Sequence, residues 1–344
     1  MNIKALAKAL GLSTSTVSRA LNGYRDVNEK TRIRVQEGAK ALGYRADAGA
    51  RRLVRGSTEA VGIVYSAAVE NLGNPQFLDM AGGLSERLKA AHFDLLLAVA
   101  GDEQDLDMYD RLFHGGRVDA VVVPNTRRQD ARIAYLMEKG YPFIGYGRTD
   151  ECRGYSWFDF DNETGSKLAV RHLVALGHKA IAYVHSPLEL NFAFQRHRGF
   201  LDALHEAQCP FNPAWLVGPA SDRRSGLIAA KQLLDLPLCP TAIVVDNNLG
   251  GVGVLRGLMS EGIVLGRDIS VVVHGVIPHD TLLFGLDVTM VTQPTAHSTG
   301  VAMAEMVLQV LNDPQAGPYH VLRQPELVSG STTGPSVGGV RLAA

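Results

Sequence analysis

Between residues 3 and 43 the apolar positions recur at helical spacing in three short bursts. Ile3, Leu6, Ala7 and Leu10 fall at i, i+3, i+4 and i+7 and define one face of a first helix. Gly11 follows, a residue that tolerates the backbone of a tight turn. Ser13 reads as the N-cap of a second helix, with Val17, Ala20 and Leu21 on its inner face and Gly23 at its end. A third helix is predicted from about Asn28, burying Val35, Ala39 and Leu42 and stopping at Gly43. Small Ala7 lets two helices cross closely, Gly11 makes the turn and Val17 plugs the crossing. That spacing is a helix-turn-helix.

From residue 60 the period changes. "AVGIVYS", "FDLLLAV", "DAVVVP", "YPFIGY" and "SWFDF" predict five strands, and "KAIAYVH", "TAIVVD" and "ISVVVH" predict a second set after residue 161. Helical segments beginning near Asn74 and Asn162 alternate with them, which implies parallel sheets with helices on both faces. The expected architecture is an all-α helix-turn-helix headpiece followed by a two-lobed α/β core. Ligands of open α/β sheets bind beyond the carboxyl ends of the strands, so a cleft between two lobes is the expected small-molecule site.

The chain has 344 residues, room for about two or three domains. No stretch approaches the roughly 18 apolar residues of a membrane span, and the first residues lack the apolar core of a secretion signal, so a cytoplasmic protein is expected. Cys152, Cys209 and Cys239 are scattered and form no C-x-x-C pair, which suits a reducing compartment and predicts neither disulfide framework nor metal site. Charge is distributed unevenly. Residues 1–58 contain 12 Lys/Arg against 4 Asp/Glu, leaving 22 basic against 31 acidic residues in the remainder. A basic head on an acidic body is the footprint of a nucleic-acid binder.

The second helix of a helix-turn-helix lies in the major groove with its N-terminal residues at the base edges. Thr14, Ser15 and Ser18 would face outward there, and Arg19 can bond a guanine edge or a phosphate. Ser13 is open to a second reading, a helix cap and nothing more. The segment "MNIKALAKALGLSTSTVSRALNGYRDVNEKTRIRVQEGAKALGY" resembles the headpiece of the LacI/GalR (lactose-repressor) family of bacterial transcription regulators, and the resemblance runs through nearly the whole chain. It implies that Thr14, Ser15 and Arg19 read bases, while Ser13, Thr16, Ser18 and Asn22 position the DNA backbone.

The family has a hinge helix after the headpiece, and "RADAGARRLVRGST" stands at that place. The resemblance implies that Leu53 wedges into the minor groove and that Ala50 leaves room for the partner's helix, although Leu53 can also be an ordinary core residue. Arg51, Arg52 and Arg55 would neutralise phosphate beside the wedge. Ala46 and Asp47 replace the Pro and Asn common at the entry, which leaves this linker less pre-set. The domains expected are 1–46 for the headpiece, 47–58 for the hinge and 59–344 for the core. Within the core, an N-lobe of about 59–160 and 291–322 and a C-lobe of about 161–290 and 323–340 are expected.

The resemblance also implies a periplasmic-binding-protein-like core with its effector residues at strand ends. "NLGNPQF" resembles the family's "SNPFF" segment and places Asn74 and Phe77 at the cleft mouth; Arg148 follows the fourth strand, and Asp161 with Asn162 the fifth. "FAFQRHRGF" contains the R-x-x-G-[FYW] pattern, whose first arginine, Arg196, matches a recurrent effector ligand. Its planar, five-donor guanidinium suits vicinal hydroxyls or a carboxylate. "VVDNNLGGVGVLRGL" aims Asn247 at the same cleft. Asn74 and Asp161 serve equally as helix caps, Phe77 as a core residue, and Arg196 as a salt-bridge partner.

Two departures bear on the effector. "SVVVHGVIP" has His274 where an aromatic is common and Gly275 and Val276 where two acids are common, so His274 is either a polar ligand or a structural histidine. Ser221 replaces the aromatic that often caps the pocket. "LELNFAFQR" resembles α-glucoside-type members, a pointer to a di- or oligosaccharide. An enzyme is the first rival, yet no G-x-G-x-x-G opens a first helix, and neither a P-loop nor a G-x-S-x-G elbow occurs. The second rival is a sugar-binding transport component, for which a basic head has no use. The sequence therefore predicts a non-enzymatic transcriptional repressor of carbohydrate genes without a cofactor. Its partners would be a pseudo-palindromic double-stranded operator, a sugar-like effector and a second copy of itself, with a tetramer open.

Overall fold

The computed structural model describes residues 2–21, 24, 26–44, 57–66, 74–101, 105–277 and 285–336. The chain divides into two compact units, Met1–Glu59 and Ala60–Ala344. In the first, α1 (Ile3–Leu10), α2 (Thr14–Leu21) and α3 (Glu29–Ala41) enclose a core of Leu6, Ala7, Val17, Ala20, Val35 and Ala39. Asn2 caps α1 by accepting from Ala5 N (2.9 Å), and Asn28 caps α3 by accepting from Lys30 N (2.8 Å). Gly11 ends α1 at φ +63°, a left-handed turn that a β-carbon would strain. Leu42 departs from expectation. It follows the last turn of α3 as the C-cap and is 45 % exposed, because the helix ends one residue before it.

The second unit holds two six-stranded sheets. The first comprises β1 (Ala60–Ser66), β2 (Asp94–Ala100), β3 (Ala120–Val123), β4 (Phe143–Tyr146), β5 (Ser156–Phe160) and β11 (His320–Arg323). Their order is β11-β5-β4-β3-β1-β2, parallel throughout. The second comprises β6 (Ile181–Val184), β7 (Leu216–Val217), β8 (Ala242–Val245), β9 (Ser270–His274), β10 (Thr289–Thr292) and β12 (Glu326–Val328). Here the order is β12-β10-β9-β8-β6-β7, with only β12 antiparallel. The central strands, AVVV of β3 and AIVV of β8, are buried at every position, as a sheet covered on both faces requires.

Helices α4 (Pro75–Ala90) and α11 (Ala296–Asn312) cover one face of the first sheet, and α5 (Leu106–His114) and α6 (Ala131–Lys139) the other. A β-carbon on Gly83 would lie 2.0 Å from His297 O and one on Gly300 2.0 Å from Met80 O, so only glycine permits this approach of α4 to α11. On the second sheet, α7 (Asn162–Ala175) and α8 (Asn191–Glu206) lie on one face and α9 (Arg223–Leu234) and α10 (Asn248–Ser260) on the other. The chain passes between lobes three times, at Asp161, at 293–295 and at 324–325. Val291, expected in the first lobe, instead pairs with His274 in the second sheet, and Arg323 pairs with Phe160 in the first. All eight anticipated strands are present. The short strands β7, β10, β11 and β12 lack the apolar runs that announce the others.

Candidate functional site

The head presents one polar surface. Val17 and Ala20 turn inward on α2, which leaves Ser13, Thr14, Ser15 and Arg19 exposed and Thr16 and Ser18 half-buried. Ser13 does cap the helix, its Oγ accepting from Thr16 N (3.0 Å). The same hydroxyl lies 2.8 Å from both Ser15 Oγ and Thr16 Oγ1, a linked row of groups able to donate or accept. Arg19 Nη1 pairs with Asp26 Oδ2 at 2.8 Å. Asn22, Ala50 and Leu53, with the hinge at 47–56, lie outside the described residues.

In the core, the carboxyl ends of the two sheets face one cleft with two adjoining chambers of about 200 and 190 Å³. Asn74, Gln76, Asn125, Tyr146, Phe160, Gly275 and Gln293 line both. The inner chamber adds Arg196, Phe192, Asn162, Asp159, Asn247 and His274; the outer adds Tyr65, Phe77, Met80 and Pro294. Gln76 Nε2 donates to Val276 O (3.0 Å) and so joins the lobes across the cleft. Gly275, at φ +86°, occupies the wall where the family commonly has an acid.

Arg196 is the centre of the inner chamber. It is 8 % exposed; its Nε donates to Asn162 Oδ1 (2.9 Å), its Nη1 donates to the Asp246 carbonyl, and its Cζ lies 5.0 Å from the Phe192 ring. Among the described residues no carboxylate oxygen lies within ion-pair distance of this guanidinium, and Nη2 has no hydrogen-bond partner. Burial lowers its pKa, with Asp246 opposing. Asn162 passes the network on, donating to Gln195 Oε1 (3.0 Å). Asp159 accepts from Arg148 Nε (2.8 Å) and from Phe160 N (2.8 Å), and Asp246 accepts from Ser186 N (2.7 Å), Ser186 Oγ (2.8 Å) and Asn247 Nδ2 (2.8 Å). Burial raises both carboxyl pKa values, against the Arg148 charge at Asp159 and the Asn247 hydrogen bond at Asp246.

His274 is 2 % exposed, sits 3.1 Å from Ser166 Oγ, and is held well below the usual histidine range by burial and then by the Arg196 charge. It is neutral at pH 7. Asn247 caps α10, its Oδ1 accepting from Gly250 N (2.7 Å), and lines the chamber as well. Asn74 likewise caps α4 and lines both chambers. Phe77 stands edge-on to Tyr65 at 4.3 Å, part of the core with one side on the outer chamber. Two expected residues do not line either chamber. Arg148 spends its guanidinium on Asp159 and Gln195, and Asp161 accepts from Thr164 N (3.1 Å) and Oγ1 (2.9 Å). The sequence reading set Asn162 at the end of the fifth strand, where it lines the inner chamber, and missed Asp159, Gln195 and Asp246. An acid inside or directly after an otherwise apolar strand, as in SWFDF and AIVVD, was the available signal.

Two family models match the chain: "Bacterial regulatory proteins, lacI family" over residues 2–47, and "Periplasmic binding proteins and sugar binding domain of LacI family" over residues 58–329. The chain belongs to the LacI family. Among its relatives, the HTH-type transcriptional regulator RafR of Escherichia coli is 38 % identical over 96 % of this chain and 98 % of that protein. The HTH-type transcriptional regulator AglR of Rhizobium meliloti (strain 1021) is 32 % identical over 98 % and 95 %. The lac repressor dimer bound to operator and the anti-inducer ONPF shares the fold, with a TM-score of 0.84 at 24 % identity over 97 % of this chain and 99 % of that one. This LacI-family protein is a DNA-binding transcriptional regulator with a core of the family's sugar-binding-domain type, and not an enzyme. Among its described residues no helix is long and apolar enough to cross a membrane.

Proposed function

We propose that this regulator reads a pseudo-palindromic operator through Thr14, Ser15 and Arg19 of α2 and is controlled by a sugar held in the inner chamber. Arg196 is the observation that carries the second half. A buried guanidinium ordinarily has a carboxylate of its own; this one has neutral partners and a spare Nη2 in a chamber rimmed by amides. A neutral polyol supplies the acceptors it lacks, and the faces of Phe192 and Tyr146 suit a sugar ring. The effector acts by binding one lobe arrangement better than the other, which alters hinge-helix pairing at 47–58 and operator affinity. Headpiece 1–46, hinge 47–58 and core 59–344 are the working divisions.

The regulator works as a cytoplasmic homodimer, since one short helix reads few bases and a two-fold pair reads a palindrome. Exposed Leu78 on α4 (59 %) with Leu97 and Val99 on the edge strand β2 (48 % and 50 %) support a self-complementary apolar face. The test is a melting-temperature screen of mono-, di- and trisaccharides on the full chain, repeated with Arg196→Ala. A sugar that raises the wild-type melting temperature should have no effect on the variant, which should still bind the duplex selected by the wild type. An undiminished sugar response in Arg196→Ala removes the arginine from the site.

A further inference from the structure

Arg19 is the one charged residue of α2, and only one of its terminal nitrogens is engaged. Nη1 holds Asp26 Oδ2 at 2.8 Å, and Cζ lies 5.8 Å from the Tyr24 ring. Among the described residues no hydrogen-bond partner lies on the Nε/Nη2 edge. That edge is a flat two-donor fork, the shape that matches the O6 and N7 acceptors of guanine.

The loop carrying Asp26 is fastened from behind. Arg32, on α3, donates from Nη2 to Tyr24 O (3.1 Å) and Val27 O (3.3 Å), while its Nη1 pairs with Glu29 (2.9 Å). Tyr24 N donates to Arg19 O (3.1 Å) and Val27 N to Tyr24 O (3.3 Å), closing the loop onto α2. Asp26 therefore stands at a fixed place in front of the recognition helix.

We infer that Asp26 is a positioning residue that stays bonded to Arg19 in the complex, aims its free edge at a guanine and withholds its charge from the phosphates. The inference rests on the reading of α2 as the base-contacting helix. Two effects follow from one carboxylate. Fixing the fork before binding removes the rotamer entropy that Arg19 would otherwise lose at the base edge. A negative charge beside the polyanion also disfavours duplexes to which Arg19 offers only its charge.

These effects give Asp26→Asn a signature that simple charge removal cannot produce. Full-length protein and variants would be titrated with two probes: the duplex the wild type enriches from a random pool, and a random-sequence duplex of equal length. Asp26→Asn should weaken the enriched duplex up to about fivefold and leave the random duplex unchanged or up to about threefold tighter. In an Arg19→Ala background the same substitution should leave the ratio of the two affinities unaltered. Equal tightening of both probes makes Asp26 a mere local charge and overturns the inference, as does an identical loss of ratio in the Arg19→Ala background. If the wild type enriches no sequence at all, the base-reading assignment itself falls and takes the inference with it.

Discussion

Arg19 in the head and Arg148 in the core each hold an aspartate at 2.8 Å, but the two pairs stand in different media. The side chains of Arg19 and Asp26 are 57 % and 51 % exposed; those of Arg148 and Asp159 are 20 % and 6 %. In water the attraction is screened, and an exposed pair contributes at most about 1 kcal/mol. Such a pair can steer a side chain without the fold depending on it. Inside the cleft the desolvation penalty makes each member depend on the other, and removing one strands a buried charge. The proposed base contacts of the head sit on groups the fold can lose, whereas the proposed sugar contacts of the cleft belong to a network that also holds the lobe together.

The largest expected effect tests that division. Arg148→Ala leaves Asp159 buried without its cation and should cost about 3–5 kcal/mol, whereas Arg19→Ala should cost less than about 0.5 kcal/mol. Urea unfolding followed by the fluorescence of Trp157 and Trp215 reads the core, where Trp157 lies 5.4 Å from the Arg148 guanidinium, and hydrogen exchange of α1, α2 and α3 reads the head, which has no tryptophan. Replacing both partners, Arg148→Met with Asp159→Leu, should recover most of the loss, because two apolar groups leave no stranded charge. Equal costs for the two single variants would show that burial does not separate these pairs.

A smaller effect separates the units by pH. Residues 1–59 contain no histidine, while burial lowers the pKa of His172, His178, His197 and His274 in the core. A histidine with a depressed native pKa binds fewer protons folded than unfolded, so its contribution is complete above about pH 6.5 and is lost as pH falls towards the native value. Each such histidine steepens the loss by up to about 1.4 kcal/mol per pH unit. Asp159 and Asp246, with raised pKa values, run the other way: they retain protons in the native state and lose stability as pH rises through those values. Hydrogen exchange between pH 7.5 and 5.5 should therefore show protection falling in the core and staying level in the head. His274→Gln should flatten the core's slope. A head that loses protection in parallel would mean that the histidines are not the cause.

The same difference of medium decided how much could be read in advance. Leu6, Val17, Ala20 and Val35 are neighbours in one short stretch, and their 3.6-residue period carries the whole head, even to the cap at Ser13. Outward-facing Thr14, Ser15 and Arg19 were legible because they break no rule of the helix that holds them. In the cleft, partners are far apart in sequence: Asn162 meets Gln195, Ser186 meets Asp246, and Ser166 meets His274. No spacing encodes such pairs, so the family resemblance pointed to Arg196, Asn74, Asn247 and His274, while Asp159, Gln195 and Asp246 went unread. Arg148 and Asp161 stand at the correct strand ends, but strand ends face the cleft and the lobe interior alike. The short strands β11 (HVLR) and β12 (ELV) escaped for a related reason, being partly exposed and without alternation.

The smallest expected effect sharpens the line between fold and site within the cleft itself. Asp161 and Asn247 do the same local work, each accepting a first-turn backbone N–H at the start of a helix, from Thr164 at 3.1 Å and from Gly250 at 2.7 Å. Alanine at either position should cost about 1 kcal/mol, the usual value of such a cap. Only Asn247 lines the inner chamber, and its Nδ2 also steadies Asp246, whose carbonyl in turn accepts from Arg196. Asn247→Ala should therefore reduce the melting-temperature rise produced by the most stabilising sugar of the screen, while Asp161→Ala lowers the baseline equally and leaves that rise intact. If Asp161→Ala abolishes the rise at unchanged stability, the chamber extends to the first turn of α7, and the division between caps and ligand contacts drawn from this geometry is wrong.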